Sequence, residues 1–419
     1  MSIIPKTKLS NRSTSTILSR IAKSILIKQL QAIKLGSLTL YVGDEVHQFG
    51  TPAKDQHPNA IIHVHDERLF SYILLDGEPA AGKSYVDGWW SSDQLLDVLR
   101  LFSLNQNALF KFKYGLGRLA RSYNYLASLI RKNTPTGSKK NILAHYDIGN
   151  DFYQLFLDSK MMYSSAYYQT AEDNLETAST NKLQLICEKL KLKAGDQVIE
   201  IGTGWGGFAI YAAQNYACHV TTTTISDAQH NYAKTLIEQL GLQDRITLIQ
   251  KDYRALKGQY DKLVSIEMIE AVGHQYLEGY FKVCDRLLKP NGAMLVQAIT
   301  IADYLHSEYI YSVDFIRKYV FPGGCLTSMN AMLAAIARDT TLTPYHAESF
   351  ASSYARTLDD WHQRFISAKQ QVYALGYNDE LIRLWEYYLK YCQAGFDTRV
   401  IDVQQLVLKK PDNRFCHQR

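Results

Sequence analysis

The sequence predicts an α/β fold in which an open, mostly parallel sheet carries a ligand site at its carboxyl edge. A short apolar run at residues 198–201 is followed by four glycines within residues 202–207. Helical spacing of apolar residues resumes at 208–214, so this stretch is predicted to form a strand, a glycine loop and a helix. Nucleotide sites of open Rossmann-like sheets have this layout.

The chain is long for a single core, and its composition changes along its length, which predicts two domains. We expect a smaller α+β domain at residues 1–130, a polar linker at 131–141 and the larger α/β domain at 142–419. The stretch 131–140, Arg-Lys-Asn-Thr-Pro-Thr-Gly-Ser-Lys-Lys, has the composition of a linker.

The elements of the smaller domain follow from local patterns. A basic amphipathic helix is expected first, because apolar residues recur at helical spacing between basic ones. Turn residues then separate two short apolar runs that predict strands. Packing of Trp89 and Trp90 is the expected role of a glycine-punctuated aromatic turn, and Ser92 or Asp93 would cap the next helix. In order, these elements are a helix at 17–35, strands at 37–42 and 60–65, a turn at 79–90 and a helix at 93–104.

The last third of the chain alternates helical patterns with little else, which predicts helices inserted around the final strands of the larger sheet. The predicted elements are helices at 329–338, 351–375 and 380–393 and a final strand at 399–408.

The net charge of +5 hides an uneven distribution. Residues 1–43 contain seven Lys or Arg and no acid, and residues 98–146 contain nine and no acid, so the rest carries 30 bases against 41 acids. Two basic stretches on an acidic body predict an anionic surface as partner. Phospholipid is favoured over nucleic acid, since no nucleic-acid fold signature accompanies the bases. Whether the helix at 17–35 lies in a membrane interface or packs on its own domain stays open.

Other features place the chain in a broad class. No stretch has the 18 or more apolar residues that a membrane span requires, and the first residues do not form a signal peptide. The six cysteines include no C-x-x-C pair and are expected to be reduced thiols. No cluster has metal-ligand spacing. We therefore expect a cytoplasmic protein, associated peripherally with the inner face of the membrane, without a metal.

The residues around the glycine loop indicate which of two cofactors, a dinucleotide or S-adenosylmethionine, is expected to bind there. Gly202, Gly204 and Gly207 satisfy the dinucleotide pattern G-x-G-x-x-G, but the second strand ends in threonines rather than in the acid that holds a ribose. Glu200 stands two residues before the first glycine, and E-x-G-x-G-x-G resembles the first motif of class I S-adenosylmethionine methyltransferases. In those enzymes the acid helps to hold the methionine ammonium group.

Seven motifs, in order, resemble the family of cyclopropane-fatty-acid synthases and mycolic acid cyclopropane synthases. They are His-Tyr-Asp-Ile-Gly-Asn-Asp (145–151), Met-Tyr-Ser-Ser-Ala-Tyr-Tyr (162–168), Glu-Ile-Gly-Thr-Gly-Trp-Gly-Gly (200–207), Thr-Ile-Ser-Asp-Ala-Gln (224–229), Asp-Tyr-Arg (252–254), Ser-Ile-Glu-Met-Ile-Glu-Ala-Val-Gly (265–273) and Tyr-Val-Phe-Pro-Gly-Gly-Cys-Leu (319–326). The resemblance implies the class I methyltransferase sheet. It also implies transfer of a methyl group from S-adenosylmethionine to the double bond of an unsaturated acyl chain in a phospholipid.

By position in these motifs, the resemblance assigns a cofactor site. Its predicted residues are Tyr163, Ser164, Glu200, Gly202, Gly204, Gly206, Thr224, Gln229, Tyr253 and Arg254. A homodimer is a further expectation from the family.

Ring closure in this family requires a base, thought to be a bicarbonate held by Cys, Glu, His, Tyr and an Ile backbone. The matching positions here are Glu270, Tyr354, Ile299, Ser165 in place of Cys and Gln297 in place of His. The two replacements keep hydrogen-bonding capacity. Two alternatives therefore stay open: the site binds bicarbonate less tightly, or the base is weakened or lost. A cyclopropane and a methyl- or methylene-branched product both stay possible.

One cysteine and one further acid have alternative interpretations. Cys392 matches a cysteine once suspected as a nucleophile in longer members, although an alkene attacking a sulfonium methyl needs none. Glu267, three residues before Glu270, is expected to cap a helix or to form a salt bridge. The alternative functions are a methyltransferase acting on a soluble small molecule and a nucleotide-binding module without activity.

Overall fold

The computed structural model describes residues 17–52, 57–106 and 148–414. The predicted linker at 131–141, the basic stretch before it, the first three residues of the motif at 145–151 and Cys416 lie outside these residues. The chain divides into two compact units. The first unit comprises residues 1–131, 311–322 and 366–400, and the second comprises residues 132–310, 323–365 and 401–419.

The first unit contains a four-stranded sheet in the order β2-β1-β3-β4, with β1 parallel to β3 and the other neighbours antiparallel. The strands are β1 (Ser37–Val42), β2 (Glu45–Gly50), β3 (Asn59–Val64) and β4 (Trp90–Ser91). The helices are α1 (Ile17–Leu30), α2 (Arg68–Asp76), α3 (Glu78–Val86), α4 (Leu95–Leu104), α13 (Lys369–Ala374) and α14 (Asp379–Asp397), with a π-helical turn at Ile316–Val320. A sheet with helices beside it agrees with the expected α+β class, although β2 was missed.

The predicted aromatic turn at 79–90 is wrong, because most of it is helix α3. Pro79 stands in the first helical turn, where a missing N–H costs nothing. Gly82 does not mark a turn. A Cβ there would lie 2.3 Å from the ring of Phe315, so the glycine allows close packing. The packing role of Trp90 is correct, since its ring is buried and its Nε1 donates to the carbonyl of Ala81 over 3.0 Å.

The long helix α14 packs on α3 and α4 within the first unit. Arg100 Nε lies 2.7 Å from Asp397 Oδ2, and the hydroxyl of Tyr85 lies 3.0 Å from Glu386 Oε2. Residues 366–400 therefore belong with the N-terminal residues rather than with the larger domain to which the sequence assigned them. The boundaries at 130 and 142 stay a prediction.

The second unit is built on a seven-stranded sheet in the order β10-β11-β9-β8-β5-β6-β7. Its strands are β5 (Gln197–Ile201), β6 (His219–Thr224), β7 (Ile246–Gln250), β8 (Tyr260–Ile266), β9 (Leu288–Ile301), β10 (Thr343–Ser349) and β11 (Ile401–Lys409). Strands β5 to β9 run parallel, and β11 lies antiparallel between β9 and β10. This topology confirms the predicted α/β class.

The helices of the second unit lie between and beside these strands. They are α5 (Asn150–Gln154), α6 (Leu175–Lys189), α7 (Gly207–Tyr216), α8 (Asp227–Gln239), α9 (Leu277–Leu287), α10 (Asp303–Tyr309), α11 (Met329–Asp339) and α12 (Ala351–Ser367). The helix predicted at 351–375 ends at Ser367, and the strand β10 was missed. None of the seven residues of β10 (Thr-Pro-Tyr-His-Ala-Glu-Ser) is buried. Its sequence therefore lacks the alternation of apolar and polar residues that predicts a strand.

Strand β5 is buried on both faces, as the apolar run predicts. Val198 packs in one hydrophobic cluster, while Ile199 and Ile201 pack in another. β5 is also where the strand order reverses, because its neighbours are β6 on one side and β8 on the other. Ligands of open α/β sheets bind at the carboxyl ends of the strands at such a switch point.

Within the part of the chain that the structure describes, no helix has the length and apolar character to cross a membrane.

Gly207, at the start of α7, lets the segment before α6 pack directly on the glycine loop. A Cβ on Gly207 would lie 2.3 Å from Met162 Sδ and 2.9 Å from the carbonyl oxygen of Lys160. The backbone oxygen cannot move without displacing the segment that carries Tyr163.

We therefore predict that Gly207→Ala lowers the free energy of unfolding by about 1–3 kcal/mol through overpacking, measured by urea unfolding. The matched control is Gly279→Ala in the exposed part of α9, where a Cβ meets nothing within 4 Å. That change should raise stability by about 0.5–1 kcal/mol because alanine favours a helix. Equal effects of the two changes would contradict this packing.

Candidate functional site

The glycine loop leaves the carboxyl end of β5 and turns into α7. Gly202, Gly204 and Gly206 have φ angles of 103°, 54° and 97°, which lie in the region that favours glycine. A Cβ on Gly204 would meet nothing within 4 Å, so the loop faces open space there. The N–H groups of Gly202 and Thr203 donate to the carbonyl of Thr223, which ties the loop to the end of β6.

Glu200 is buried in β5, immediately before this loop. Its Oε2 accepts a hydrogen bond of 2.6 Å from Thr222 Oγ1, and Thr222 in turn pairs with Thr203 over 2.7 Å. Burial raises the pKa of Glu200 to about 8, against the pull of the nearby Lys182 ammonium. A cation brought to the loop would favour the ionised form of this acid.

The next two strands end in the other predicted cofactor residues. Thr224 Oγ1 donates to Gln229 Oε1 over 2.9 Å, so these two buried side chains from β6 and α8 form one polar wall. After β7, Arg254 forms a two-pronged ion pair with Asp252, and its guanidinium lies 5.5 Å from the centre of the Tyr253 ring. The carboxyl ends of β5, β6 and β7 thus carry eight of the ten predicted cofactor residues.

Tyr163 and Ser164 reach the loop from the segment before α6. The ring of Tyr163 lies 5.2 Å from that of Tyr153 and 5.4 Å from that of Trp361, and Tyr153 lies 5.2 Å from Trp205 in the glycine loop. These aromatic rings therefore form a continuous group beside the loop. Ser164 Oγ is 2.7 Å from Nζ of the buried Lys182.

A second polar cluster centres on Glu267, the residue that follows β8. Its Oε1 accepts from the backbone N–H of Ser165 over 2.9 Å and from Gln297 Nε2 over 2.7 Å. Its Oε2 accepts from the hydroxyl of Tyr354 over 2.7 Å. The residue also has a φ of 48°, unusual for a side chain other than glycine. The next residue, Met268, has its Cβ 3.3 Å from the Cβ position of Gly202, so this cluster adjoins the glycine loop.

Glu270 lies beside Glu267 in a short 3-10 turn. Its Oε1 accepts from the N–H of Ile299 over 2.5 Å, while its buried Oε2 has no partner among the described residues. Burial raises the pKa of Glu270 to about 8, and the negative charge of Glu267 adds to the rise. Burial also raises the pKa of Glu267, but hydrogen bonds from Tyr354, Ser165 and Gln297 oppose it. Three donors meet the carboxylate of Glu267, whereas Oε2 of Glu270 has no partner among the described residues, so this geometry favours the negative charge on Glu267.

Lys182, on α6, is a buried positive charge that lowers the pKa of both Glu200 and Glu267. Its side chain has no accessible surface, and burial lowers the pKa of its ammonium to about 8. The carboxylates of Glu267, Asp158 and Glu200 oppose that fall by attraction. Lys182 thus links the acid of the glycine loop to the cluster around Glu267.

Comparison with known proteins agrees with a cofactor site at this edge of the sheet. The family described as mycolic acid cyclopropane synthetase matches residues 133–406, more than half of the sequence. The chain belongs to this family. It is an S-adenosylmethionine-dependent methyltransferase, and the residues at the carboxyl edge fit that cofactor, since a buried acid, an open glycine turn and polar walls converge there.

Relatives and a solved structure extend the similarity. The chain is 36% identical over 356 residues to cyclopropane-fatty-acyl-phospholipid synthase of Escherichia coli, covering 84% of this chain and 88% of that one. It is 34% identical over 370 residues to tuberculostearic acid methyltransferase of Mycobacterium tuberculosis, covering 85% and 84%. The crystal structure of mycolic acid cyclopropane synthase CmaA1 complexed with SAH and CTAB has a TM-score of 0.60 and 29% identity, covering 65% and 98%.

The residues predicted to hold a bicarbonate come together, but they do not fit that ion. Ser165, Gln297 and Tyr354 all donate to the carboxylate of Glu267 instead. Ile299 donates to Glu270. The hydroxyl of Ser165 points to the carbonyl of Ala166 over 2.8 Å, so only its backbone N–H contributes.

Cys392 lies on α14 in the first unit, and its part in the site stays a prediction. Burial raises the pKa of its thiol far above the ordinary value, which disfavours the thiolate that a nucleophile requires. Among the described residues no group of three or more His, Cys, Asp or Glu could hold a metal ion.

Sequence reasoning missed the roles of Glu267 and Lys182. The expectation that Glu267 caps a helix or forms a salt bridge is wrong, since it accepts three hydrogen bonds at the centre of the site. The spacing Glu-x-x-Glu after β8 was a usable signal, because two carboxylates three residues apart can meet in one turn. Lys182 gave no signal, since a lysine in a helix is normally exposed.

We predict that Lys182→Met destabilises the protein by about 3–5 kcal/mol, because it leaves buried carboxylates without their positive partner. Urea unfolding measures the effect. The control is Lys234→Met on α8, whose side chain is 62% exposed and whose loss should change stability by less than about 0.5 kcal/mol. A Lys182→Met protein as stable as the control would show that the charge is not needed.

Proposed function

We propose that this enzyme methylates the double bond of unsaturated acyl chains in membrane phospholipids and closes a cyclopropane ring. The observation that carries the proposal is the pair Glu267 and Glu270, which lies against the glycine loop through Met268 and Gly202. A methyl transfer to an amine or a phenol ends when a heteroatom loses its proton. Ring closure instead requires a base within reach of the transferred methyl group, and we infer that this pair of acids supplies it.

S-adenosylmethionine supplies a sulfonium methyl group that even an alkene can accept. The attacked chain then carries a cation, which the protein must stabilise. Aromatic rings attract cations by about 0.5–2 kcal/mol each. The rings of Tyr163 and Tyr354 lie 5.4 Å and 6.3 Å from the ring of Trp361, and the hydroxyl of Tyr354 donates to Glu267, so three rings are grouped beside this acid. Rings in this place would also protect the cation from addition of water.

Peripheral association with an anionic membrane surface is part of the proposal. Helix α1 buries Ala22, Leu26 and Leu30 but exposes Ile17, Leu18 and Ile21, with 78%, 51% and 53% of their surfaces accessible. Both interpretations of this helix therefore have support, since one face packs and the other stays apolar and exposed. Exposed apolar residues among bases can enter a lipid interface. The inner face of the membrane and a homodimer stay predictions of the family resemblance.

A branched product is the second candidate. The relative named tuberculostearic acid methyltransferase is not named as a cyclopropane synthase, although it is 34% identical to this chain. The partnerless Oε2 of Glu270 and the carboxylate of Glu267, which accepts three hydrogen bonds, support removal of a proton, which closes the ring. A soluble substrate lacks comparable support, because the exposed apolar residues of α1 have no role in it.

We expect radioactive label from S-adenosylmethionine to enter the acyl chains of vesicles made from unsaturated phospholipid, and gas chromatography to identify a cyclopropane chain. Anionic vesicles should be better substrates than zwitterionic ones because residues 1–43 are basic. Vesicles of saturated phospholipid are the control and should stay unlabelled. Label only in a soluble phenol or amine, without dependence on vesicles, would replace the proposal, and a branched chain would correct its final step.

A further inference from the structure

The donors around Glu267 come from three separate parts of the second unit. Ser165 belongs to the segment before α6, Gln297 to β9 and Tyr354 to α12, and all three are buried. Each directs its N–H or O–H to the same carboxylate, at 2.9, 2.7 and 2.7 Å. Convergence of three donors on one point is the pattern of an anion site, and here the anion is a side chain of the chain itself.

A chain of buried side chains fixes the direction of the bond from Gln297. Lys189 Nζ can only donate, and it lies 2.6 Å from Gln405 Oε1. The amide nitrogen of Gln405 therefore donates to Gln297 Oε1 over 3.0 Å. This leaves the amide nitrogen of Gln297 to donate to Glu267. The orientation of both amides follows from the lysine, and Gln297 is held as a donor rather than as an acceptor.

The backbone of Glu267 is strained to bring its carboxylate to this place. Its φ of 48° lies in the left-handed region, which costs a residue with a Cβ about 1–2 kcal/mol. The N–H of Glu267 donates to the carbonyl of Gln297 over 2.8 Å, so the strained turn is fixed at both ends. Strain of this kind is stored at functional sites when the surrounding structure determines the conformation.

We propose that the carboxylate of Glu267 is the proton acceptor of the ring-closing step, in place of a bound bicarbonate. The inference rests on the proposed function and names the base that it requires. Glu267 occupies the point on which Ser165, Gln297 and Tyr354 converge, so a bicarbonate would have to displace a carboxylate held by three hydrogen bonds. Ser165 and Gln297 stand where the family has Cys and His. Their presence then does not weaken the base, because the base is a side chain of the protein and does not have to be bound from solution.

The step balances in atoms and charge. A C–H bond of the transferred methyl group breaks, and its electron pair forms the last C–C bond of the ring with the adjacent cationic carbon. The proton goes to a carboxylate oxygen of Glu267, so a cation and a carboxylate become a neutral ring and a carboxylic acid. Glu267 returns its proton to solvent after the product leaves. Lys182 acts as a positioning residue, since its charge stabilises the carboxylate of Glu267, and neither Lys182 nor Glu270 receives this proton.

The variant that tests the proposal is Glu267→Gly. Glycine adopts a positive φ without strain, so the change removes the carboxylate and relieves the backbone together. It also leaves the three donors free to bind an added anion. Glu238→Gln is the control, because Glu238 is an exposed residue of α8 away from the site, with 53% of its side chain accessible. Binding of S-adenosylhomocysteine and thermal unfolding check that each variant is folded.

Two readouts are compared in buffer free of carbon dioxide and in buffer with added sodium bicarbonate. The first is the rate of cyclopropane formation on unsaturated vesicles, and the second is the shift of Tm caused by bicarbonate alone. We expect the native enzyme and the control to show no response in either readout. Glu267→Gly should lose activity by roughly 100-fold or more without bicarbonate, the scale of general base catalysis. Added bicarbonate should raise the activity of Glu267→Gly at least about tenfold and should raise the Tm of this variant.

A native enzyme whose rate falls when bicarbonate is removed, or whose Tm rises when it is added, would overturn the proposal. So would a Glu267→Gly protein with the native rate in bicarbonate-free buffer, or one whose loss bicarbonate does not relieve. Failure of the proposed function looks different, because then the native enzyme forms no cyclopropane under either condition. In that case the Tm readout still decides whether Glu267 fills the anion site.

Discussion

The carboxylate of Glu267 accepts hydrogen bonds from three elements that are far apart in the sequence, and the arrangement of the site depends on it. Ser165 lies within a tyrosine-rich segment, Gln297 within the strand β9 and Tyr354 near the start of the long helix α12. Removal of the carboxylate would leave three buried donors without an acceptor. Such donors each cost about 1–3 kcal/mol, so this one anion holds the three elements in register.

The topology of the sheet explains why this cluster adjoins the cofactor site. Strands β5 and β8 are neighbours and parallel, so the residues that follow them emerge at the same edge. Gly202 follows β5 and Glu267 follows β8, and Met268 fills the contact between them. Lys182 completes the link, because its charge acts on Glu200 at one strand and on Glu267 at the next. The methyl donor and the base are thus fixed by one pair of parallel strands.

Much of this could be predicted from the sequence, because the signals were local. The apolar run and glycines of 198–207 gave the strand, loop and helix, and motif positions brought Glu200, Thr224 and Gln229 to one edge. What could not be predicted depends on contacts between distant residues. The sequence predicts a turn where helix α3 lies, because Gly82 serves packing against Phe315, which lies more than 200 residues later. The role of Glu267 cannot be predicted in this way, because neither its positive φ nor its three donors can be read from the residues beside it. The same holds for Lys182.

The central claim is that Glu267 carries the negative charge of the pair while Glu270 keeps its proton near neutral pH. Carbon-13 NMR of protein labelled at glutamate carboxyl carbons tests it most directly, with Glu267→Gln and Glu270→Gln to assign the two signals. Burial raises the pKa of both acids, but Tyr354, Gln297 and Ser165 donate to Glu267, whereas Glu270 faces the charge of Glu267 and accepts from Ile299. We predict that the Glu267 signal is already that of a carboxylate at pH 7, while the Glu270 signal titrates with a pKa of about 8. A protonated Glu267 beside an ionised Glu270 at pH 7 would contradict the account.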